Sequence, residues 1–186
     1  MRIISGNFKG KKISLPEDKN TRPLRDMVKE SIFNLIQHSN KINIKIFESN
    51  ILDLFSGSGS FGLECISRGA SNVIFMENYP NAINTLKKNI DLLNVSKNCE
   101  IIQQDCFEYF KNGRILKDKF HIIFIDPPFK ENKINFLLEK IKKNKILDKD
   151  GFIILHRHKK DDIEISKEFE IIDQRNYGIS KIIIGT

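Results

Sequence analysis

From residue 50 onward, short apolar runs alternate with segments in which apolar residues recur at helical spacing. The runs predict strands buried on both faces, at residues 51–54, 72–76, 99–103, 120–125 and 152–155. Helices are predicted at 61–68, from Pro80, near 107–110 and around 134–141. Two closing strand-like runs, 168–174 and 181–184, have no helix between them. The order predicts an α/β fold with a doubly wound sheet and an antiparallel hairpin at one edge.

The first 45 residues follow a different pattern and are predicted to form an N-terminal segment beside the core. Residues 1–15 resemble a basic hairpin, residues 16–23 a polar loop, and a helix is expected from about Leu24. Residues 46–186 would then form the catalytic domain. A polar turn is also expected at Asp150 and Gly151, before the strand that starts at Phe152.

Composition restricts the class of protein. A chain of 186 residues with 40% hydrophobic content suits one main domain. Three cysteines without pairing or metal-ligand spacing suit a reducing compartment. Because the N-terminus lacks an apolar signal region and no apolar run approaches membrane length, a cytoplasmic protein without a membrane partner is expected.

The charge is positive and concentrated near the N-terminus. The net charge is +7, and residues 1–30 contain eight Lys or Arg residues against four Asp or Glu residues. A basic surface of this kind favours a polyanionic partner, although a solvated basic face has the same composition.

Asp126-Pro127-Pro128-Phe129 is the most informative motif, and we call residues 126–129 the proline turn. The two prolines fix φ and remove two N–H donors, so the chain leaves its strand as a stiff turn that offers oxygen acceptors. An aromatic ring follows directly at Phe129. Acceptors beside an aromatic face suit a flat ring that carries an amine, such as a nucleobase.

A glycine-rich loop joins the first predicted strand to its helix, with glycines at 57, 59 and 62. The spacing also matches a dinucleotide-binding fingerprint, so an NAD-dependent oxidoreductase stays open. Acids at the ends of three strands (Asp53, Glu77 and Asp105) are expected along one sheet edge. There Glu77 could accept ribose hydroxyls, Asp105 an adenine amine, and Asp53 could balance a cationic group. This set fits S-adenosylmethionine better than a pyrophosphate.

Several segments in order resemble the 16S ribosomal RNA guanine-N2 methyltransferase family, small-subunit methyltransferase D. They are residues 1–6, 10–13, 20–34, 53–64 and 67–70, together with Glu77, Asp105 and the proline turn. The resemblance implies a Rossmann-like class I methyltransferase with seven strands ordered 3-2-1-4-5-7-6, strand 7 antiparallel. It implies methyl transfer from S-adenosylmethionine to guanine 966 of 16S ribosomal RNA, with S-adenosylhomocysteine as the product and no metal.

The resemblance also suggests roles for individual residues. Catalysis would rest on Asp126, Pro127 and Phe129. The cofactor would contact Asp53, Ser56, Gly57, Gly59, Glu77, Asp105 and Cys106. RNA would contact Lys9, Lys11, Lys12, Arg22, Pro23 and Arg25, with residues 21–23 folding over the site. The expected partner is 16S ribosomal RNA or the small ribosomal particle, bound by a monomer.

One segment departs from the family pattern. Residues 155–158 read Leu-His-Arg-His, where family members more often show an acidic residue after the fifth strand. His156 and His158 face one side, but no third ligand accompanies them, so a solvated basic edge is expected and not a metal site.

Alternatives remain open at this point. The acceptors of the proline turn serve adenine N6 as well as guanine N2, so an adenine methyltransferase acting on DNA or RNA is the nearest alternative. A non-catalytic RNA-binding module is the other.

Overall fold

The structure is a computed structural model that describes residues 1–18 and 21–186. Lys19 and Asn20 lie outside the described residues. Both residues belong to the predicted loop at 16–23. Asn20 also begins the matching segment 20–34, and Lys19 carries part of the basic N-terminal charge.

In the described residues 1–18 and 21–186, seven strands and five α-helices follow one another, and they alternate as far as the fifth strand. The strands are β1 (Asn50–Leu54), β2 (Asn72–Met76), β3 (Cys99–Ile102), β4 (Phe120–Ile125), β5 (Leu147–His158), β6 (Ile171–Tyr177) and β7 (Ser180–Gly185). The helices are α1 (Asp26–His38), α2 (Ser60–Ser67), α3 (Pro80–Leu93), α4 (Cys106–Lys111) and α5 (Ile134–Lys143), with a 3₁₀ turn at Ser96–Asn98.

The sheet has the order β3-β2-β1-β4-β5-β7-β6, which confirms the predicted fold class and strand order. The first five strands are parallel, and β7 runs antiparallel to both of its neighbours. Because β1 lies between β2 and β4, the ends of these three strands meet at one edge of the sheet. Ligands bind at that carboxyl edge in doubly wound sheets.

Two strands, β5 and β6, differ from their predicted limits by three residues or more, and the others by at most one residue at either end. β5 begins at Leu147 and not at Phe152, because Phe120 pairs with Leu147 and Ile122 already pairs with Phe152. The expected turn at residues 150–151 is therefore absorbed as a bulge within the strand. β6 runs to Tyr177, so the tight turn lies at residues 178–179, later than the sequence indicates.

Two apolar cores cover the two faces of the sheet, and the N-terminal segment contributes to one of them. Ile3, Ile13 and Ile32 are buried in the core that also contains Phe61 and Phe124. Residues 1–13 form a turn closed by a single antiparallel bridge between Arg2 and Lys12, shorter than the regular hairpin that the sequence suggests. The division into residues 1–45 and 46–186 remains a prediction.

A buried carboxylate fastens this segment to α2. Glu64 accepts hydrogen bonds from the backbone N–H groups of Ile4 (2.7 Å) and Ser5 (2.9 Å) and from Nε of Arg68 (3.0 Å). Nζ of the buried Lys29 lies 3.6 Å from Glu64 and donates to the carbonyl of Arg2 at 2.8 Å. Burial lowers the pKa of Lys29, and the charge of Glu64 opposes that shift. Because Glu64 is fully buried and paired on all sides, removing one partner would leave an uncompensated charge.

Candidate active site

A cleft of about 300 Å³ opens at the carboxyl edge of the sheet. Asp53 of β1, Glu77 after β2 and Asp126 after β4 line it together. Residues 21–24 lie over the same cleft, so the structure brings the N-terminal loop to the position that the sequence suggests for it. Pro23 and Arg22 are exposed on this covering loop.

The glycine loop (residues 56–59) forms one wall of the cleft. Gly57 has φ +55° with open space where a Cβ would lie, so its backbone can be approached closely by a ligand. Ser56 and Gly57 line the cleft, whereas Gly59 is not among its lining residues. Gly59 has φ +80° and packs against Leu86, which a Cβ would strike. Gly59 therefore supports the glycine loop by packing against α3.

Asp53 is buried beneath the loop, at 1% exposure. Its Oδ2 accepts a hydrogen bond from the N–H of Gly62 at 3.0 Å, which ties β1 to α2. Burial raises the pKa of Asp53 well above its ordinary value, and the charges of Asp126 and Glu77 act in the same direction. The Gly62 hydrogen bond opposes that rise.

This burial predicts a pH effect on stability. Since folding raises the pKa of Asp53, its contribution to stability is fully present below its ordinary value of 3.8 and is lost as the pH rises through the raised value. Asp53→Asn cannot ionise and keeps an acceptor for Gly62. We expect the melting temperature of Asp53→Asn, relative to wild type, to increase from acid pH upward. The exposed Asp118→Asn serves as the control, and parallel curves for Asp53→Asn and wild type would contradict the expectation.

Glu77 is held by three backbone N–H groups. Its Oε2 accepts from Gly57 at 2.8 Å, and its Oε1 accepts from Asn78 and Tyr79, each at 2.9 Å. A carboxylate has about four acceptor positions, so capacity remains for a ribose hydroxyl. Glu77 thus fixes the glycine loop in place, a structural role that the sequence did not indicate, and its contact with a cofactor stays a prediction.

Asp105 and Cys106 lie beside the cleft and do not line it. Asp105 caps α4 by accepting from the N–H of Glu108 at 3.0 Å, and it accepts from Nδ2 of Asn78 at 3.0 Å. Asn78 lines the cleft, so it links Asp105 to the site. Cys106 is buried at 2% exposure, and burial raises the pKa of its thiol. Their contact with a cofactor stays a prediction.

The proline turn meets Arg22 of the covering loop. An Nη atom of Arg22 donates to Oδ1 of Asp126 at 2.6 Å, and the guanidinium carbon lies 3.5 Å from the centroid of the Phe129 ring. Burial lowers the pKa of Arg22, while the charge of Asp126 opposes that shift. Arg22 is therefore engaged with two of the predicted catalytic residues.

Arg157 is a site residue that the sequence analysis did not single out. Its buried guanidinium donates to the carbonyls of Pro128 (3.4 Å), Phe129 (3.1 Å) and Glu131 (2.8 Å), and its Nε binds Asp161. The carbonyls of Pro128 and Phe129 in the proline turn, and that of Glu131 just after it, are thus fixed from β5 by one planar cation. Arg157 is the second residue after the apolar run 152–155, at a position where burial could not be inferred from hydrophobic periodicity.

His156 corrects a prediction. The sequence suggested a solvated basic edge, but His156 is 2% exposed because β7 and the proline turn cover it. His158 packs against Phe129, with ring centroids 5.1 Å apart, and its Nδ1 accepts from the N–H of Lys160 at 3.1 Å.

The other predicted RNA contacts lie on the surface. Lys9, Lys11, Lys12 and Arg25 are exposed, and Nζ of Lys11 lies 5.4 Å from the Phe8 ring centroid. In the described part of the chain, no group of three or more His, Cys, Asp or Glu side chains could hold a metal ion. No helix formed by residues 1–18 or 21–186 is both long and apolar enough to span a bilayer.

Comparisons with known proteins match the whole chain. The family model described as conserved hypothetical protein 95 covers residues 1–186. YlbH of Bacillus subtilis is 34% identical over 186 residues, covering 99% of this chain and 97% of that protein. The ribosomal RNA small subunit methyltransferase D of Buchnera aphidicola is 34% identical over 173 residues, or 93% and 86% of the two chains.

Solved structures share the fold. The yhhF protein of Escherichia coli aligns with a TM-score of 0.83 at 22% identity, over 100% of this chain and 96% of that one. An RNA methyltransferase from Salinibacter ruber, in complex with S-adenosyl-L-homocysteine, aligns with a TM-score of 0.64 at 15% identity, over 88% and 92%.

Sheet order, cleft and relatives together define a methyltransferase with a Rossmann-like fold. Within that class, the chain belongs to the conserved hypothetical protein 95 family.

Proposed function

We propose that this protein transfers a methyl group from S-adenosylmethionine to the exocyclic N2 of a guanine in 16S ribosomal RNA, with position 966 as the target. The observation that carries the proposal is the contact of Arg22 with the proline turn. Its guanidinium is flat and bears N–H donors, as does the amine edge of guanine. It stacks on Phe129 and donates to Asp126, the two contacts required of a flipped base.

The cleft also fits the methyl donor. Glu77 can accept ribose hydroxyls, and the Gly57 backbone leaves room for close approach of the amino-acid part. Asn78, bound to Asp105, lies where the adenine end would reach. When bound, S-adenosylmethionine supplies a methyl group on a positively charged sulfur that leaves as a neutral thioether.

The residues of the proline turn position the amine. The N2 lone pair is delocalised into the guanine ring, so the amine must be held with that pair turned toward the methyl group. In the proposal, Asp126 and the Pro127 carbonyl accept the two N–H bonds and stabilise the positive charge that develops on nitrogen. Phe129 stacks on the base, which is worth roughly 1–3 kcal/mol. Asp126 accepts the proton only after transfer.

The basic N-terminal segment would dock the RNA, with lysines and arginines on phosphate groups. Ile3 and Ile13 are buried, so deleting residues 1–15 would damage the core. Single charge removals are therefore the better test. In this proposal a monomer works in the cytoplasm on the small ribosomal particle or its RNA.

Loss of one phosphate contact gives a measurable salt effect. We expect Lys12→Ala to weaken RNA binding and to lower the slope of log affinity against log salt by about 0.7–0.9. Lys149→Ala is the control, because the Lys149 side chain is 87% exposed in the β5 bulge, away from the N-terminal segment. Equal slopes for Lys12→Ala and wild type would argue against phosphate contact.

The product identifies the reaction. The purified protein would be incubated with labelled S-adenosylmethionine and with small subunits, or their RNA, that lack the modification. Mass analysis of nucleosides is expected to show N2-methylguanosine. N6-methyladenosine would instead support the adenine alternative, and cofactor binding without any labelled nucleoside would contradict an RNA substrate.

A further inference from the structure

His156 connects the proline turn to β7. Its Nε2 lies 2.8 Å from Oγ of Ser180, and its Nδ1 lies 2.9 Å from Oδ1 of Asp126. Both His156 and Ser180 are buried, at 2% and 3% exposure. The imidazole also meets the Phe129 ring edge to face, with centroids 5.7 Å apart.

Nδ1 lies within hydrogen-bond distance of Asp126, but the angle between them is not that of a hydrogen bond. Within the described residues, Nδ1 forms no directed hydrogen bond, although it is fully buried. Oδ1 of Asp126 already accepts from Arg22 at 2.6 Å. A buried ring nitrogen without a directed partner is costly, so it indicates that this contact completes in another state of the site.

We propose that His156 is a positioning residue for Asp126: once the base replaces Arg22, Nδ1–H donates to Oδ1 and holds the carboxylate in its acceptor orientation. This inference rests on the proposed function, because it assigns Asp126 to the amine of the base.

The tautomer follows from the two partners. An ionised carboxylate only accepts, so the nitrogen facing Asp126 must carry the ring proton. Nε2 of the neutral ring is then an acceptor. The Ser180 hydroxyl can donate to it, since a hydroxyl rotates to suit its partner. Ser180 is thereby compatible with the tautomer that Asp126 needs.

Two substitutions test the roles of Nδ1 and Nε2 separately. His156→Asn places an amide near the position of Nδ1 and can still donate to Asp126, whereas His156→Gln reaches toward Ser180 and loses Asp126. We expect His156→Gln to lose at least about tenfold in kcat, with the KM for RNA nearly unchanged. His156→Asn should retain a clearly larger share of kcat. Equal losses in both variants, or wild-type kcat in His156→Gln, would overturn the proposal.

Two further measurements distinguish a loss of folding or of cofactor binding from a loss of the positioning contact. Calorimetric binding of S-adenosylmethionine and thermal melting show whether each variant folds and holds the cofactor. Nitrogen NMR of the four histidines, with His156 assigned by its absence in His156→Asn, reads the tautomer without any need for activity. A protonated Nδ1 is expected, and a protonated Nε2 would overturn the proposal. If wild-type protein transfers no methyl group to RNA, the proposed function fails, while the NMR result still decides whether the ring nitrogen facing Asp126 carries the proton.

Discussion

Asp126→Ala is expected to abolish methyl transfer while S-adenosylmethionine still binds. The carboxylate is 10% exposed at the end of β4 and is approached by Arg22 and His156. In the proposed mechanism it accepts an N–H bond from the amine and stabilises charge as the methyl group moves. Removing one such electrostatic contact from an active site typically lowers kcat by about 100- to 1000-fold.

Asp118→Ala is the matched control for this prediction. Asp118 is exposed and precedes β4, whereas Asp126 follows it, so the two acids lie at opposite edges of the sheet. Single-turnover methylation of small-subunit RNA measures the chemical step, and calorimetry measures cofactor affinity. Full activity in Asp126→Ala would remove the acceptor role, and a parallel loss of cofactor binding would point to a collapsed cleft.

Glu77→Ala is expected to weaken the affinity for S-adenosylmethionine by about 10- to 100-fold. Hydrogen bonds to a charged group contribute about 1.5–3 kcal/mol each, and 1.4 kcal/mol corresponds to a factor of ten. Loss of the carboxylate would remove the ribose contact and also release the N–H of Gly57, which it now holds at 2.8 Å. Both effects lower affinity.

Glu77→Gln separates these two contributions, since its amide oxygen can still accept from one backbone group. Its affinity should fall between those of wild type and Glu77→Ala. Glu100→Ala, an exposed acid on the neighbouring strand β3, is the control. Calorimetry that shows the same dissociation constant for Glu77→Ala and wild type would rule out the ribose contact.

The sheet could be predicted from the sequence because its central strands are continuous apolar runs. The run from Phe120 to Ile125 coincides with β4, and the run from Asn72 to Met76 coincides with β2. The β5 bulge could not be predicted, because residues 148–151 are polar and carry the composition of a turn. Only pairing with β4 makes them part of a strand.

The acids that line the cleft could be located because each lies in or directly after the last part of an apolar run, and parallel strands end together. What they bind could not be derived, since Glu77 and Asp53 accept from backbone groups of the loop and helix beyond them. The burial of His156 and of Arg157 was not predicted, for a related reason. Polar residues at the end of an apolar run are usually solvated, and here β7 and the proline turn bury them.

The bonds that fasten the N-terminal segment also set an order of events during synthesis. Glu64 binds backbone groups about 60 residues earlier in the chain, and Asn89 donates to the carbonyl of Ser14 across 75 positions. At about 5–20 residues per second, a nascent chain needs about 4–15 s to add those 75 residues. Residues 1–15 therefore cannot form these bonds until α2 and α3 have been made, and the covering loop, whose Arg22 binds Asp126, completes its contacts later still.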